Sequence, residues 1–249
     1  MAITIKSERE IELMAEAGKI LERVHNELEK ALRPGMSTKD IDTLGEEIIR
    51  SYGCIPSFLN YNGYPASICV SVNQEVVHGI PDKHRIIQEG DIVSLDAGVI
   101  YKGYHSDAAR THAVGEVSEE AKKLIQVTKE SFFEGIKFAK AGNHLFDISG
   151  AIGRYAEERG YGVVRDLCGH GIGTALHEAP EIPNYEVGRK GVRLRPGMTL
   201  AIEPMINIGT HEVDWLDDDW TVVTRDGSLS AHYENTILIT EGEPRILSL

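Results

Sequence analysis

The sequence predicts a mixed α/β (α+β) fold in which helix, helix and antiparallel strands are written twice, the two copies related by a pseudo-twofold axis. Three observations predict it. First, the chain matches itself at an offset of 107 residues: Gly35 with Gly142, Asp40 with Asp147, Ile41 with Ile148, Gly53 with Gly160, Gly90 with Gly197 and Val93 with Leu200. Single glycine matches are common by chance, but a register held through a whole half reads as a duplication. Second, the stretch Gly90–Arg110, GDIVSLDAGVIYKGYHSDAAR, reads as two strands about a turn, each strand carrying one acid among apolar or small residues, Asp96 and Asp107. Third, the same offset carries Asp96 to Glu203, again an acid in an apolar strand, Leu200-Ala201-Ile202-Glu203-Pro204. The expected organisation is one domain over residues 1–249 with halves of about 7–110 and 118–240.

The elements follow in order. Ser7-Glu8-Arg9-Glu10 is a capping box, and it opens a helix with apolar residues at Ile11, Met14, Leu21, Val24 and Leu28. Pro34-Gly35 stops that helix. Ser37 or Thr38 caps a second one, with Ile41, Leu44, Ile48 and Ile49 as its buried side and an end near Gly53. Phe58 to Tyr64 is an aromatic loop. Ser67 to Val77 alternates as one strand, and His78-Gly79 leaves it for Pro81. In the hairpin that follows, Tyr101-Lys102-Gly103 is a bulged turn whose glycine supplies the positive φ. The midpoint of Asp96 and Asp107, 101.5, falls inside that turn, so they are expected roughly opposite one another on one face. After Gly115, Ser118 caps a helix to about Ala139, Ala141-Gly142 breaks it, and a further helix runs from about Phe146 to near Gly160. Gly169 to Gly173 is a glycine-rich turn holding His170. His232 to Ile239 reads as one strand with Glu234 ahead of an apolar run.

Composition narrows the function. With 249 residues, 41% apolar and 26% charged, the chain is an ordinary globular protein with ample core. The net charge of −13 argues against a nucleic-acid footprint, which needs clustered Lys and Arg. No apolar run reaches the length of a membrane span, and MAITIKSEREIELM shows neither a basic n-region nor an apolar h-region. Cys54, Cys69 and Cys168 are odd in number and lack C-x-x-C spacing, which suits free thiols in a reducing cytoplasm. The acidic stretch Gly209 to Asp219, GTHEVDWLDDD, reads as a solvated loop close in sequence to Trp220.

Taken singly, Asp96 and Asp107 would suit an exposed hairpin, His170 a structural role, and Glu234 the surface; His78 and His177 sit in loops. Together, Asp96, Asp107, His170, Glu203 and Glu234 make four carboxylates and one imidazole on strands or strand ends. Four buried carboxylates without partners would be very costly, and two divalent cations match their charge. An oxygen-rich set with one nitrogen and no thiolate suits Mn, Fe(II), Co or Zn at a working centre more than a structural zinc. Two such ions would hold a water between them and deprotonate it near neutral pH. No serine or cysteine lies in a nucleophile motif such as G-x-S-x-G.

From about Ser7 to Ile246 the chain resembles the short, type I methionine aminopeptidases of peptidase family M24. The resemblance is carried by Val72-Asn73, Val76-Val77-His78-Gly79-Ile80-Pro81, GDIVSLDAG…GYHSDAART, CGHGIG..LHE.P, PGMTLAIEPM and LSAHYENTILIT. It implies the pita-bread fold, a pseudo-twofold α/β arrangement around a central metal site, and the removal of N-terminal methionine from nascent proteins with a small second residue preferred. It further implies that Asp96 serves one metal, His170 and Glu203 the other, and Asp107 and Glu234 both. Glu203 would also shuttle the proton, His78 would contact the scissile amide, and His177 would bond the substrate carbonyl. Phe58, Tyr61, Tyr64, Cys69, Leu176 and Trp220 would line the methionine pocket, where apolar, aromatic and sulfur groups suit a thioether; positions 58 and 176 vary among relatives. Asn73, Glu75 and Ser230 align with positions that hold a monovalent cation in some members. A cytoplasmic monomer with transient ribosome contact is the implied setting. The nearest rivals are pita-bread enzymes that cleave beside proline, usually with an extra N-terminal domain, and a non-catalytic binding relative, which should lack ligands.

Overall fold

In the computed structural model, which describes residues 3–249, Ser7 opens the first helix by the expected reciprocal cap. Its hydroxyl accepts the Glu10 N–H at 3.4 Å, and the Glu10 carboxylate takes the Ser7 N–H at 2.8 Å. Helix α1 (Glu8–Ala31) is followed by α2 (Thr38–Ser51), for which Ser37 rather than Thr38 is the cap. A short strand β1 (Ile55–Pro56) leads into the aromatic segment, where Tyr61–Gly63 forms a single 3₁₀ turn.

The expected strand over 67–77 is two strands, β2 (Ile68–Val72) and β3 (Glu75–Val77). Asn73 turns the chain between them with φ of 59°. Asparagine tolerates that region better than other side-chain-bearing residues, and here its amide bonds Asp91 and the Ile92 N–H at 2.8 and 3.0 Å. The hairpin is β4 (Ile92–Tyr101) and β5 (Tyr104–Ala113). Its loop is the two residues Lys102 and Gly103, both at positive φ as a type I′ turn requires, not a three-residue bulge. That changes the register: Asp96 faces Ala109 and Asp107 faces Gly98. The acids are therefore diagonal neighbours rather than opposite partners. They still share a face, because Asp107 and Ala109 are two residues apart on one strand.

The plan then recurs. Helix α3 (Glu119–Ile136), capped by Ser118, stops three residues short of Ala139, and α4 (Leu145–Glu157) starts and ends earlier than the glycine punctuation suggested. Contacts repeat at the offset of 107 residues. Gly35 N–H donates to Ile87 O and Gly142 N–H to Leu194 O, while an isolated bridge joins Ser37 to Ile86 and another joins His144 to Arg193. Strands β6 (Gly162–Val163), β7 (Gly169–Gly171), β8 (Glu178–Ile182), β9 (Thr199–Ile202) and β10 (Met205–Asn207) come next. Then follow β11 (Val213–Trp215), β12 (Val222–Thr224), β13 (Ser230–His232), β14 (Asn235–Leu238) and β15 (Arg245–Ile246).

All the strand pairs are antiparallel. In one sheet β4 lies between β5 and the pair β1 and β2; a second runs β15-β14-β9-β7-β8. Smaller sheets run β13-β10-β6 and β11-β12-β3. Two sequence expectations are corrected here. His170 lies on strand β7, not in a turn, and residues 232–239 are two strands broken at Tyr233-Glu234. The acidic 209–219 stretch is also partly strand, with Asp214 and Glu212 paired to Arg225 at 3.0 and 2.9 Å.

Two apolar cores hold the helices to the sheets. Leu21, Val24 and Leu28 of α1 pack with Ile41 and Ile49 of α2 against Val70, Val93 and Leu95. Phe132 of α3 and Ile148 and Ile152 of α4 pack against Leu200, Ile202 and Ile237. Between them the sheets meet edge to edge. Ala109 and Glu234 exchange main-chain bonds at 2.9 and 3.4 Å, and the Thr111 hydroxyl bonds both main-chain groups of His232 at 2.9 Å.

Candidate metal centre and its cavity

Five strands or strand breaks deliver acids and imidazoles to that seam. Asp96 sits in β4 and Asp107 in β5. Glu203 and Glu234 occupy matching gaps: β9 pairs with β14 up to Ile202–Asn235, and β10 with β13 from Met205–His232, so Glu203-Pro204 lies across from Tyr233-Glu234. His170 enters from β7. Its Nδ1 lies 2.8 Å from the Gly171 carbonyl, and donating that proton leaves the Nε2 lone pair facing the carboxylates. Nε2 is 3.6 Å from Glu203 Oε1 and 3.9 Å from Asp107 Oδ2. The flanking glycines permit this approach: a Cβ at Gly169 would stand 2.4 Å from Ala201 O, and one at Gly171 2.2 Å from Ala179 O.

The electrostatics are those of an uncompensated acid cluster. Burial pushes the Asp96 carboxyl up to about 7. Asp107 is raised by burial and then by the Asp96 and Glu203 charges, and Glu203 by burial and then Asp96. Glu234 is raised by burial, then by Asp107, Glu203 and Asp96, against a smaller lowering by Arg110. Burial holds His170 down at about 3 and His78 at about 4. Asp96 Oδ1, Asp107 Oδ1 and Glu234 Oε1 are buried without a hydrogen-bond partner among the described residues. Asp107, His170 and Glu234 bring donor atoms within 4.8 Å of one another, and so do Glu203, His232 and Glu234. Two convergent triplets sharing Glu234, with orphaned oxygens, fit a pair of divalent cations: the residues have the charge, donors and spacing.

Asp96, Asp107, His170, Glu203 and Glu234 line a cavity of about 220 Å³. The sequence-expected pocket residues Phe58, Tyr61, Tyr64, Cys69, Leu176 and Trp220 line it too, together with His78 and His177. Phe58, Tyr64, Cys69 and Leu176 are buried, Tyr61, His78 and Trp220 are half-buried, and His177 is exposed. Tyr64 and Trp220 meet edge to face at 5.2 Å, and Cys69 is the ladder partner of Asp96, so the apolar wall begins where the acids end. His78 takes φ of 60° and lies 6.3 Å from the Trp220 ring. His177 stands 4.1 Å ring to ring from His170, with Nδ1 2.7 Å from the Tyr61 hydroxyl. Asn73 and Ser230 are joined by a 3.0 Å main-chain bond, and the Glu75 carboxylate takes the Val72 N–H at 2.7 Å.

Sequence reading missed several residues. Leu167, Cys168 and Met205 also line the cavity, with no pattern to announce them. His232 did have a signal: it lies two residues before Glu234, and period-two alternation places both on one face.

The chain matches the model of metallopeptidase family M24 over residues 12–241. It is 58% identical over 247 residues to a methionine aminopeptidase of Clostridium acetobutylicum, covering 99% of both chains. The solved methionine aminopeptidase of Thermotoga maritima superimposes with a TM-score of 0.97 at 48% identity, covering 99% of both. An Xaa-Pro dipeptidase of Bacillus anthracis gives a TM-score of 0.78 at 28% identity, and this chain spans 61% of it.

Proposed function

The chain belongs to metallopeptidase family M24, and from that premise we propose that it acts as a metal-dependent methionine aminopeptidase on nascent protein N-termini. The observation that carries the reading is one cavity lined both by five metal donors and by aromatic, apolar and sulfur-containing side chains. Asp96, Asp107, His170, Glu203 and Glu234 would hold two divalent cations, Asp107 and Glu234 reaching both. Such a pair, when bound, supplies Lewis acidity and lowers the pKa of water.

The chain's own groups do the rest. Phe58, Tyr64, Cys69, Leu176 and Trp220 seat the thioether and exclude water around it. With the Tyr61 hydroxyl donating to Nδ1, His177 keeps its proton on Nε2 and offers it to the substrate carbonyl, where charge develops. His78, held neutral by burial, faces the scissile amide, and Glu203 carries the proton to the departing amine. The preference for a small second residue comes from the family resemblance, as does a monovalent cation beside Asn73 and Ser230. Identity of the divalent metal among Co, Mn, Fe(II) and Zn is open to the same assay that tests the activity.

We read residues 1–249 as one catalytic domain of two related halves, supported by the contacts that recur 107 residues apart. The reading extends to a cytoplasmic monomer meeting the ribosome transiently; the three free cysteines suit a reducing compartment. The deciding experiment incubates metal-reconstituted protein, anaerobically and across a metal panel, with Met-Ala-Ser, Met-Leu-Ser and an Ala-Pro peptide. Methionine release from the first alone is expected. Equal release from the first two, none from either, or cleavage at proline would sink the reading.

A further inference from the structure

We propose that His232 is an additional ligand of the metal centre, adding a second imidazole nitrogen beside Glu203 and Glu234. The assignment rests on the metal-centre reading above and adds a donor to it.

The ladder register gives the first ground. In β4–β5, Asp96 faces Ala109 and Gly98 faces Asp107. The offset of 107 residues carries Asp96 to Glu203 and Gly98 to Met205, and Met205 faces His232. His232 thus occupies in the second half the place that Asp107 holds in the first. A side chain there points at the seam in both halves, by the alternation that also aims Glu234 inward.

Distance and burial give the second. His232 Nε2 lies 3.8 Å from Glu203 Oε2 and 3.9 Å from Glu234 Oε2. The corresponding separations of His170, the imidazole already assigned as a ligand, are 3.6 and 3.9 Å. Such gaps are too long for hydrogen bonds, but they suit donors about 2.1 Å from a shared cation. The ring is 2% exposed, and among the described residues neither of its nitrogens has a partner. Thr111 clamps the His232 main chain on both sides, so the ring has little freedom to seek another. A buried imidazole with both nitrogens unsatisfied is costly unless something not made of protein completes it.

With two imidazoles the centre is richer in nitrogen than four carboxylates and one histidine. That moves its preference toward Zn, Co and Fe(II) relative to Mn.

The test strips the full chain with chelator, loads it anaerobically with Co(II), and counts hyperfine-shifted, solvent-exchangeable imidazole protons by NMR. Two are expected in the unmodified protein, and one each in His170→Gln and His232→Gln. Calorimetric titration of His232→Gln should show one Co(II) bound about 10–100-fold more weakly. A single exchangeable signal in the unmodified protein, lost in His170→Gln and kept in His232→Gln, would overturn the assignment while leaving the metal centre intact. Failure to bind Co(II) at all would overturn both. The count in the unmodified protein stands even if a variant fails to fold.

Discussion

At the scale of single residues, the site divides into groups that hold charge and groups that orient a proton. Asp107 belongs to the first: it is buried, it carries an oxygen with no partner among the described residues, and it converges with His170 and Glu234. Asp107→Asn should therefore lower metal content and activity together, the latter by several orders of magnitude. Near-normal turnover with full metal would contradict the two-cation arrangement. His177 belongs to the second. His177→Ala should leave bound metal unchanged while kcat falls about 10²–10³-fold, the range for losing one donor to a developing charge. Tyr61→Phe should give a smaller fall in kcat with KM nearly constant, because it frees the imidazole to take the wrong tautomer without removing it. A Tyr61→Phe loss confined to KM would make Tyr61 a pocket wall only. Gly98 connects the two groups. A Cβ there would press within 2.7 Å of Ser57 Cβ and 3.0 Å of Phe58 Cε1, so Gly98→Ala should drive Phe58 into the cavity and raise KM for methionyl substrates more than it lowers metal affinity.

At the scale of elements, strand β7 is packed closely against main chain on both sides. A methyl on Gly171 would meet the Ala179 carbonyl at 2.2 Å, and main chain yields less readily than a side chain. Gly171→Ala should destabilise the fold by about 1–3 kcal/mol or more and displace His170 from the acids. Urea midpoints and metal titration together would detect this; an unchanged midpoint would mean the β7–β8 bulge absorbs the methyl. By contrast, Ser7→Ala removes a local cap, and its expected cost is about 1 kcal/mol with the site untouched. The difference explains what the sequence could reveal. Caps and helix faces at Ser7, Ser37 and Ser118 were legible because a helix is specified by residues three and four apart. The breaks at Asn73, at Glu203-Pro204 and at Tyr233-Glu234 were not, since each marks a change of partner strand and partners are chosen by the whole sheet. The side-by-side placement of Asp96 and Asp107 failed for a related reason. Register depends on where the turn is centred, and the loop Lys102-Gly103 is centred one residue later than the midpoint of Asp96 and Asp107. The shared face survived because the structure's register shifts each pairing by two residues, which preserves alternation. The five proposed ligands are legible through the repeat and the family motifs, whereas His232 is signalled only by its alternation with Glu234.

At the scale of the whole molecule, a seam of buried acids between two apolar cores makes stability depend on what neutralises them. Any cation that binds only the folded chain adds RT ln(1 + [L]/Kd), about 2.7 kcal/mol at a hundredfold excess over Kd. Stripped of metal, the protein must keep its acids protonated, and the sign of the pH dependence follows. Asp96 is raised from its ordinary 3.8 to about 7, and Asp107, Glu203 and Glu234 are raised as well, all chiefly by burial. A carboxyl whose folded pKa is raised contributes stability below its ordinary pKa, and this is lost as pH rises through the folded value. The buried histidines work the other way: His78, His170 and His232 are held near 3 to 4, so they destabilise only below their ordinary 6.5. Between pH 6.5 and 8 they are neutral in both states and drop out of the balance. In that window the stripped protein should lose stability steadily with rising pH. The metal-loaded protein should hold or gain it, because cations and protons compete for the same oxygens and protons become scarce. Urea midpoints at several pH values, with chelator and with excess Co(II), would show two curves diverging upward from pH 6.5. Parallel curves would mean that the acids are neutralised by something other than metal, and that the charge balance on which the centre has been assigned is wrong.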